Sequence, residues 1–574
     1  MRSTRVPLLV ALVVLSLCAV PLSAAGGGGA PSATAGGIEG ATSPAAVAAG
    51  DHAASAGATG TLDRAASTPA IQDRDDDHST GDTIGYVEGY WYDDELPVDD
   101  REDATVDDDE LDAVVYRAMA RVEVIRERTF EDDVDVEVRS RSAYQAEQDD
   151  LFTDLGPAER LQENVNYEAL FMIDGETNAV DEAETLYGGA VEGYYEPQSD
   201  RIVVVSNTPD EPELNEVVLG HELVHALQDQ HFDLTNYDRE SLDGSNAENG
   251  LIEGDAVAVE RAYDQRCGAE WECVLPADGP TELPDDVNWG LYFTIYQPYA
   301  DGPDYVAHLR EQGGWDAVDD AYDDPPASTS EVIHPGEDRE PVETDVADRS
   351  SEDWEQLEID GEPATETVGE AGMAAMFADG AIDRDRPSVV SRDEFLGMGL
   401  SGGEDLRYDQ PYTDGWAGDE LVTYVPADAD TNGSDDPIAA ADDAGYVWQT
   451  EWVSEGEAQA FVDGYLQLLE INGASAVADR QDTYEIADGF AGAYYAEQDG
   501  ETVTIVHAPS IDALDEVEQG AAPEGDDRLE VDEGGDDGAD ETGSWSDEIP
   551  GFGLSIAVLS LVLGTLAVRN GRRR

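Results

Sequence analysis

Residues 220–234 read GHELVHALQDQHFDL, and what this stretch forms decides what the chain can be. It sets His221, Glu222 and His225 in HExxH order, with a further imidazole, His231, shortly after. On a helix at about 100° per residue, His221 and His225 lie within ~40° of each other and one turn apart. Two imidazoles so placed can reach one metal ion at about 2.0–2.1 Å. Glu222, one step round, falls beside the ion rather than on it. There a carboxylate can take a proton from water and return it to a leaving amine. The chain has only 8 histidines, and chance alone would give HExxH in roughly one such chain in a hundred. Val217, Val218, Val224 and Leu227 give the helix a side to bury.

A zinc site open for catalysis has three protein ligands, so one more donor is needed. His231 stands in the register of HExxHxxGxxH and resembles the metzincin motif. That motif turns the chain sharply at its glycine, and here the position is Gln228. A continuing helix points His231 about 80° from His221 and about 120° from His225, so it is expected to cap or pack the helix end. Met373 and Met376 lie in a helical pattern rather than a turn.

The better donor is Glu253, in SNAENGLIEGDAVAVERAYDQRCG, which reads as a second helix after a connecting loop. HExxH followed by a glutamate in EGDA resembles the gluzincin metalloproteases. The resemblance implies His221, His225 and Glu253 as Zn2+ ligands, Glu222 as the catalytic carboxylate, and hydrolysis of peptide bonds by zinc-activated water. Asp255 is a candidate for supporting the ligands. The blocks HELVHALQDQHFDL, LIEGDA, GGWDAV, PPASTSEVIHP and GWAGDE also resemble an uncharacterised group of prokaryotic zincin-like proteins, over about 188–424. That implies a zincin-like fold and names no substrate. The runs VEGYY and RIVVV, just upstream, read as a hairpin able to pair with an extended peptide. An oxyanion donor must come from outside the helix. His334, in STSEVIHPG, is the first candidate, followed by Tyr194 or Tyr195. The rival reading is a non-catalytic envelope protein that keeps only the fold.

The bulk numbers restrict partners and place. The 574 residues carry 29 basic groups, all arginine, against 132 acidic ones, a net charge of -103. Like charges at this density repel over roughly 10 Å at 0.1 M salt and over about 3 Å at 1 M. The chain therefore reads as a protein of an extreme halophile, and nucleic acid is excluded as a partner. Arg2 and Arg5 precede an apolar run at 6–22 and small residues at 23–25, which reads as a signal peptide over 1–25 containing Cys18. Cys267 and Cys273 are left in the exported chain and are expected to form a local disulfide.

The expected organisation is α+β. A flexible Gly/Ala/Ser/Asp linker at 26–80 leads into a zincin-like domain at 81–430, which opens with a capped helix over 107–130. A boundary at TNGSDD, 431–436, carries the glycosylation sequon of Asn432. A small α+β unit follows at 446–517, with a helix in EGEAQAFVDGYLQLLEI and a hairpin turning at Asp499-Gly500. An acidic spacer at 520–548 precedes Pro550-Gly551-Phe552, an apolar stretch at 553–568 and terminal arginines. The last segment, 549–574, resembles the PGF-type C-terminal sorting signal of archaeal surface proteins. This implies processing by an archaeosortase-type enzyme and a lipid anchor; otherwise the helix stays in the membrane. The expected partners are therefore a peptide or protein substrate, that processing enzyme and the membrane, with the chain on the outer face of the cell.

Overall fold

Asp107 begins the first long helix, α1 (Asp108–Arg126), by accepting a hydrogen bond from Glu110 N while Glu110 reaches back to the cap. Three acidic residues in its first turn suit the positive end of the helix dipole. The computed structural model containing it describes residues 78–529 and the strand Val14–Leu15. Within that range it leaves out 102, 152–154, 190, 238, 240, 277–286, 383–385, 399–403, 430 and 432–439. The rest of the signal segment, the 26–77 part of the linker, Asn432, and the spacer and sorting segment from 530 onward lie outside the described residues. Among the described residues no helix is long and apolar enough to cross a membrane.

Strand β1 (Asp135–Ser140) pairs in parallel with β3 (Arg201–Ser206), and β2 (Gly193–Glu196) pairs antiparallel with the other side of β3. The hairpin expected upstream of the HExxH stretch is thus formed, with Gly193 opposite Val204 and Glu196 opposite Arg201. Its IVVV run is buried on both faces, as a β-branched run in a covered strand should be. The outer edge of β2 takes Val14–Leu15 antiparallel. The HExxH residues sit on α2 (Glu216–Phe232), whose Asn215 cap accepts from Val217 N and Val218 N. Helix α3 (Leu242–Asp264) is capped by Ser241. Helix α4 (Trp289–Gly313) packs so closely on α3 that glycines are required at the crossing. A Cβ on Gly254 would lie 2.3 Å from Gly302 O, and one on Gly302 would lie 2.4 Å from Gly250 O. The disulfide Cys267–Cys273 closes the loop after α3.

Short helix α5 (Thr329–Ile333) and helix α6 (Gly369–Ala378) connect these helices to a larger antiparallel sheet. Its main strands are β4 (Trp416–Pro426), β5 (Gly445–Trp452), β6 (Gly492–Asp499) and β7 (Thr502–Ala508), in the order β4-β5-β7-β6. Helix α7 (Glu455–Ile471) covers it, with the Phe461 ring 4.8 Å from that of Trp452 and 5.8 Å from that of Trp448. The β6–β7 hairpin turns through Gly500, at φ +71°, where the sequence placed it.

The expected boundary at 431–436 is corrected by this sheet. β4 pairs with β5 from Trp416↔Trp452 to Tyr424↔Gly445, so TNGSDD lies in the connection of a hairpin rather than between domains. Trp354–Gln356 and Thr365–Glu366 also pair with β4, so the sheet of the unit expected at 446–517 takes in strands from 354 onward. Turn residues look alike in a linker and in a hairpin loop, which is why composition misplaced the boundary. The architecture is mixed α+β, with one core around α1, α2 and α3 and another joining α4, α6 and α7 to the sheet.

Candidate metal centre

Helices α2 and α3 bring His221, His225 and Glu253 together, with one ligand-type atom from each within 4.8 Å of the others. His221 Nε2 stands 3.2 Å from Glu253 Oε2, and His225 Nε2 stands 3.6 Å from the same oxygen. The two rings are 4.8 Å apart, centroid to centroid. Exposure is 1% for His221, 0% for His225 and 4% for Glu253, so water does not solvate the group. The helix start is itself pinned by charge. Buried Glu216 accepts from Arg117 at 2.8 Å, Arg121 at 2.7 Å, Tyr263 Oη at 2.8 Å and Val274 N at 2.8 Å.

Each imidazole is oriented through its second nitrogen. His221 Nδ1 lies 2.9 Å from Glu260 Oε2, and His225 Nδ1 lies 2.8 Å from Gln228 Oε1. Gln228 in turn donates from Nε2 to Ile252 O at 2.9 Å, tying α2 to α3 beside the ligands. With oxygen acceptors at both Nδ1 positions, both Nε2 lone pairs are directed at the Glu253 carboxylate. That arrangement needs positive charge. Burial opposes a charged His221, but Glu253 and Glu260 outweigh it and push its pKa well above the ordinary value. Burial likewise acts to raise Glu253, yet His225 and His221 prevail and hold it at about 2. His225 Nε2 is fully buried and has no hydrogen-bond partner among the described residues. An orphaned nitrogen facing a second imidazole and a carboxylate is a donor set that fits Zn2+.

Glu222, 1% exposed, lines a cavity of about 260 Å³ with Gly193, Val204, Val218 and Leu219. The absent Cβ of Gly193 would sit 3.7 Å from Glu222 Cγ, so strand β2 lies directly over this carboxylate. His221, His225 and Glu253 do not line that cavity.

The other candidates lie elsewhere. His231 Nε2 is 2.8 Å from Thr129 O, and the residue packs the end of α2 away from the ligands. Asp255, expected to support them, instead takes Arg126 Nε at 2.8 Å and Tyr322 Oη at 3.1 Å. Two residues past Glu253 is about 200° round the helix, the wrong side. Glu260, seven residues past it, returns to nearly the same face, and that spacing could have revealed it. Gln228 was noted only for not being glycine. Tyr195 Oη donates to Asp229 Oδ2 at 2.7 Å, and Tyr194 Oη accepts from Arg139 at 3.1 Å. His334 follows α5, and its Nε2 lies 2.8 Å from Glu370 Oε1 and 3.6 Å from Asp414 Oδ1. It belongs to a separate cluster, and the structure does not bring it to the HExxH residues.

A family model described as a domain of unknown function, DUF8575, matches residues 355–518. No curated protein and no solved structure matches the chain. The match begins beside the strand Trp354–Gln356 and takes in α6, α7 and the larger sheet, leaving α2 and α3 outside it.

Proposed function

We propose that this chain is a zinc-dependent peptidase of gluzincin type, exported and anchored at the outer face of the cell membrane. One observation carries the reading: His221, His225 and Glu253 converge from two helices, and Glu222, next to His221 in sequence, is buried and lines a cavity beside a strand. Zn2+, when bound, supplies a Lewis acid that polarises a carbonyl and makes water acidic enough to react at neutral pH. Glu222 holds the proton taken from that water and delivers it to the leaving amine nitrogen. Glu260 and Gln228 keep the two imidazoles in one tautomer and one orientation, so the ligands need no rearrangement to bind. Val204, Val218 and Leu219 line the cavity together with polar Ser206, Asn207 and Asn215, so apolar and hydrogen-bonding groups both face this carboxylate's cavity. The outer edge of β2 accepts an extended segment antiparallel, the pairing a bound peptide would use. Export and anchoring rest on the two terminal segments of the sequence.

A second reading is favoured by the burial of all three ligands and Glu222, none of which is more than 4% exposed. In it, zinc is structural and the chain is a non-catalytic surface protein. Glu222→Gln separates the two, because it keeps size and leaves the ligands alone. The peptidase reading expects cleavage of a mixed peptide library to fall by about 10²–10⁴-fold at unchanged zinc content. Zinc-loaded wild type that cleaves nothing in that library would leave the structural reading standing.

A further inference from the structure

We propose a second metal site, formed by His334, Glu370 and Asp414, that takes a divalent first-row transition ion such as Zn2+ and pins α5 to the C-terminal sheet. The three residues come from separate segments: the residue after α5, the first turn of α6, and the loop leading into β4. One nitrogen or oxygen from each lies within 4.8 Å of the other two. His334 Nε2 faces both carboxylates, at 2.8 Å from Glu370 and 3.6 Å from Asp414.

An independent observation points to an ion rather than a simple pair. Glu370 is 0% exposed, and its second oxygen, Oε2, has no hydrogen-bond partner among the described residues. Ser330 Oγ, on α5 and also 0% exposed, bears on the same carboxylate. A buried carboxylate oxygen is rarely left so, and one facing the same cluster as an imidazole and a second carboxylate marks a place where a cation supplies the missing partner. The donor chemistry narrows the ion. An imidazole with two carboxylates suits Zn2+ or Mn2+, whereas Ca2+ selects oxygen ligands throughout. Asp414 has a side chain 47% exposed, which leaves a way in from solvent. Arg339 bonds Asp414 Oδ1 at 2.8 Å and also its backbone carbonyl, holding that loop over the cluster.

The site is distinct from the HExxH ligands, so the two can be counted separately. Full-length protein in molar KCl is stripped with a chelator, reloaded with Zn2+, washed with excess Mg2+ to clear the acidic surface, and assayed for zinc per chain. The expected result is two ions in wild type, one in Glu370→Gln, one in His225→Ala, and none in the double variant. Glu370→Gln keeps shape and can still bond His334, and near-ultraviolet circular dichroism checks the fold. Zinc-edge absorption of His225→Ala should show a single imidazole ligand, lost when His334→Asn is added to that variant. One ion in wild type that vanishes with His225→Ala and ignores Glu370→Gln overturns the proposal. One ion that ignores His225→Ala and vanishes with Glu370→Gln supports this site and instead removes the peptidase centre.

Discussion

The two imidazole–carboxylate clusters of this chain are built in opposite ways. The first places two histidines and a glutamate on two neighbouring helices, each of the three at most 4% exposed and each imidazole held from behind by Glu260 or Gln228. The second draws one histidine and two carboxylates from three segments, with an arginine on the outermost of them. The difference teaches how a site gains rigidity. In the first, periodicity aligns the groups within each helix, and the packing of α2 on α3 brings the two sets together. In the second, the carboxylates arrive only because α6 and β4 pack where they do.

Several substitutions would break or sharpen that contrast. The largest effect on chemistry is expected from Glu222→Gln, which should lower peptide hydrolysis by about 10²–10⁴-fold while zinc content and thermal unfolding stay as in wild type. The largest effect on folding is expected from Glu216→Ala, which leaves Arg117 and Arg121 buried without their shared carboxylate. Chemical unfolding in molar salt should show a loss of about 3–5 kcal/mol, and the first cluster should lose its pinned helix with it. A milder change, Glu260→Gln, leaves the ligand set intact and should weaken zinc binding by about 10–100-fold in competition with a chelator. Equal affinity would mean that the support from α3 is incidental. Gly254→Ala should destabilise by about 1–3 kcal/mol through the crossing of α3 and α4, because its Cβ would meet Gly302 O. His231→Ala should leave zinc binding unchanged, since that imidazole meets the backbone at Thr129 and the side chain of Glu131 rather than His221, His225 or Glu253.

What the sequence disclosed follows the same division. His221 and His225 could be read because helix geometry turns spacing into direction, Glu253 through the gluzincin resemblance of its EGDA context, and the upstream hairpin from its β-branched run. Glu260 is equally legible at seven residues from Glu253, whereas Asp255, two residues on, falls on the far side of that helix. The partners of His334 could not be read, since Glu370 and Asp414 are distant in sequence and are brought near only by tertiary packing. The sheet was hidden for a related reason. Its strand β4 lies upstream of a polar loop that has the composition of a linker, and only its pairing with β5 shows the two to be neighbours.

The most direct test of the central claim is the change in bound zinc on removing Glu253, measured per chain in molar salt for wild type, Glu253→Ala and His231→Ala. The account predicts that Glu253→Ala loses one ion, or holds it far more weakly, while His231→Ala loses none. Full retention in Glu253→Ala, or loss in His231→Ala, would contradict it.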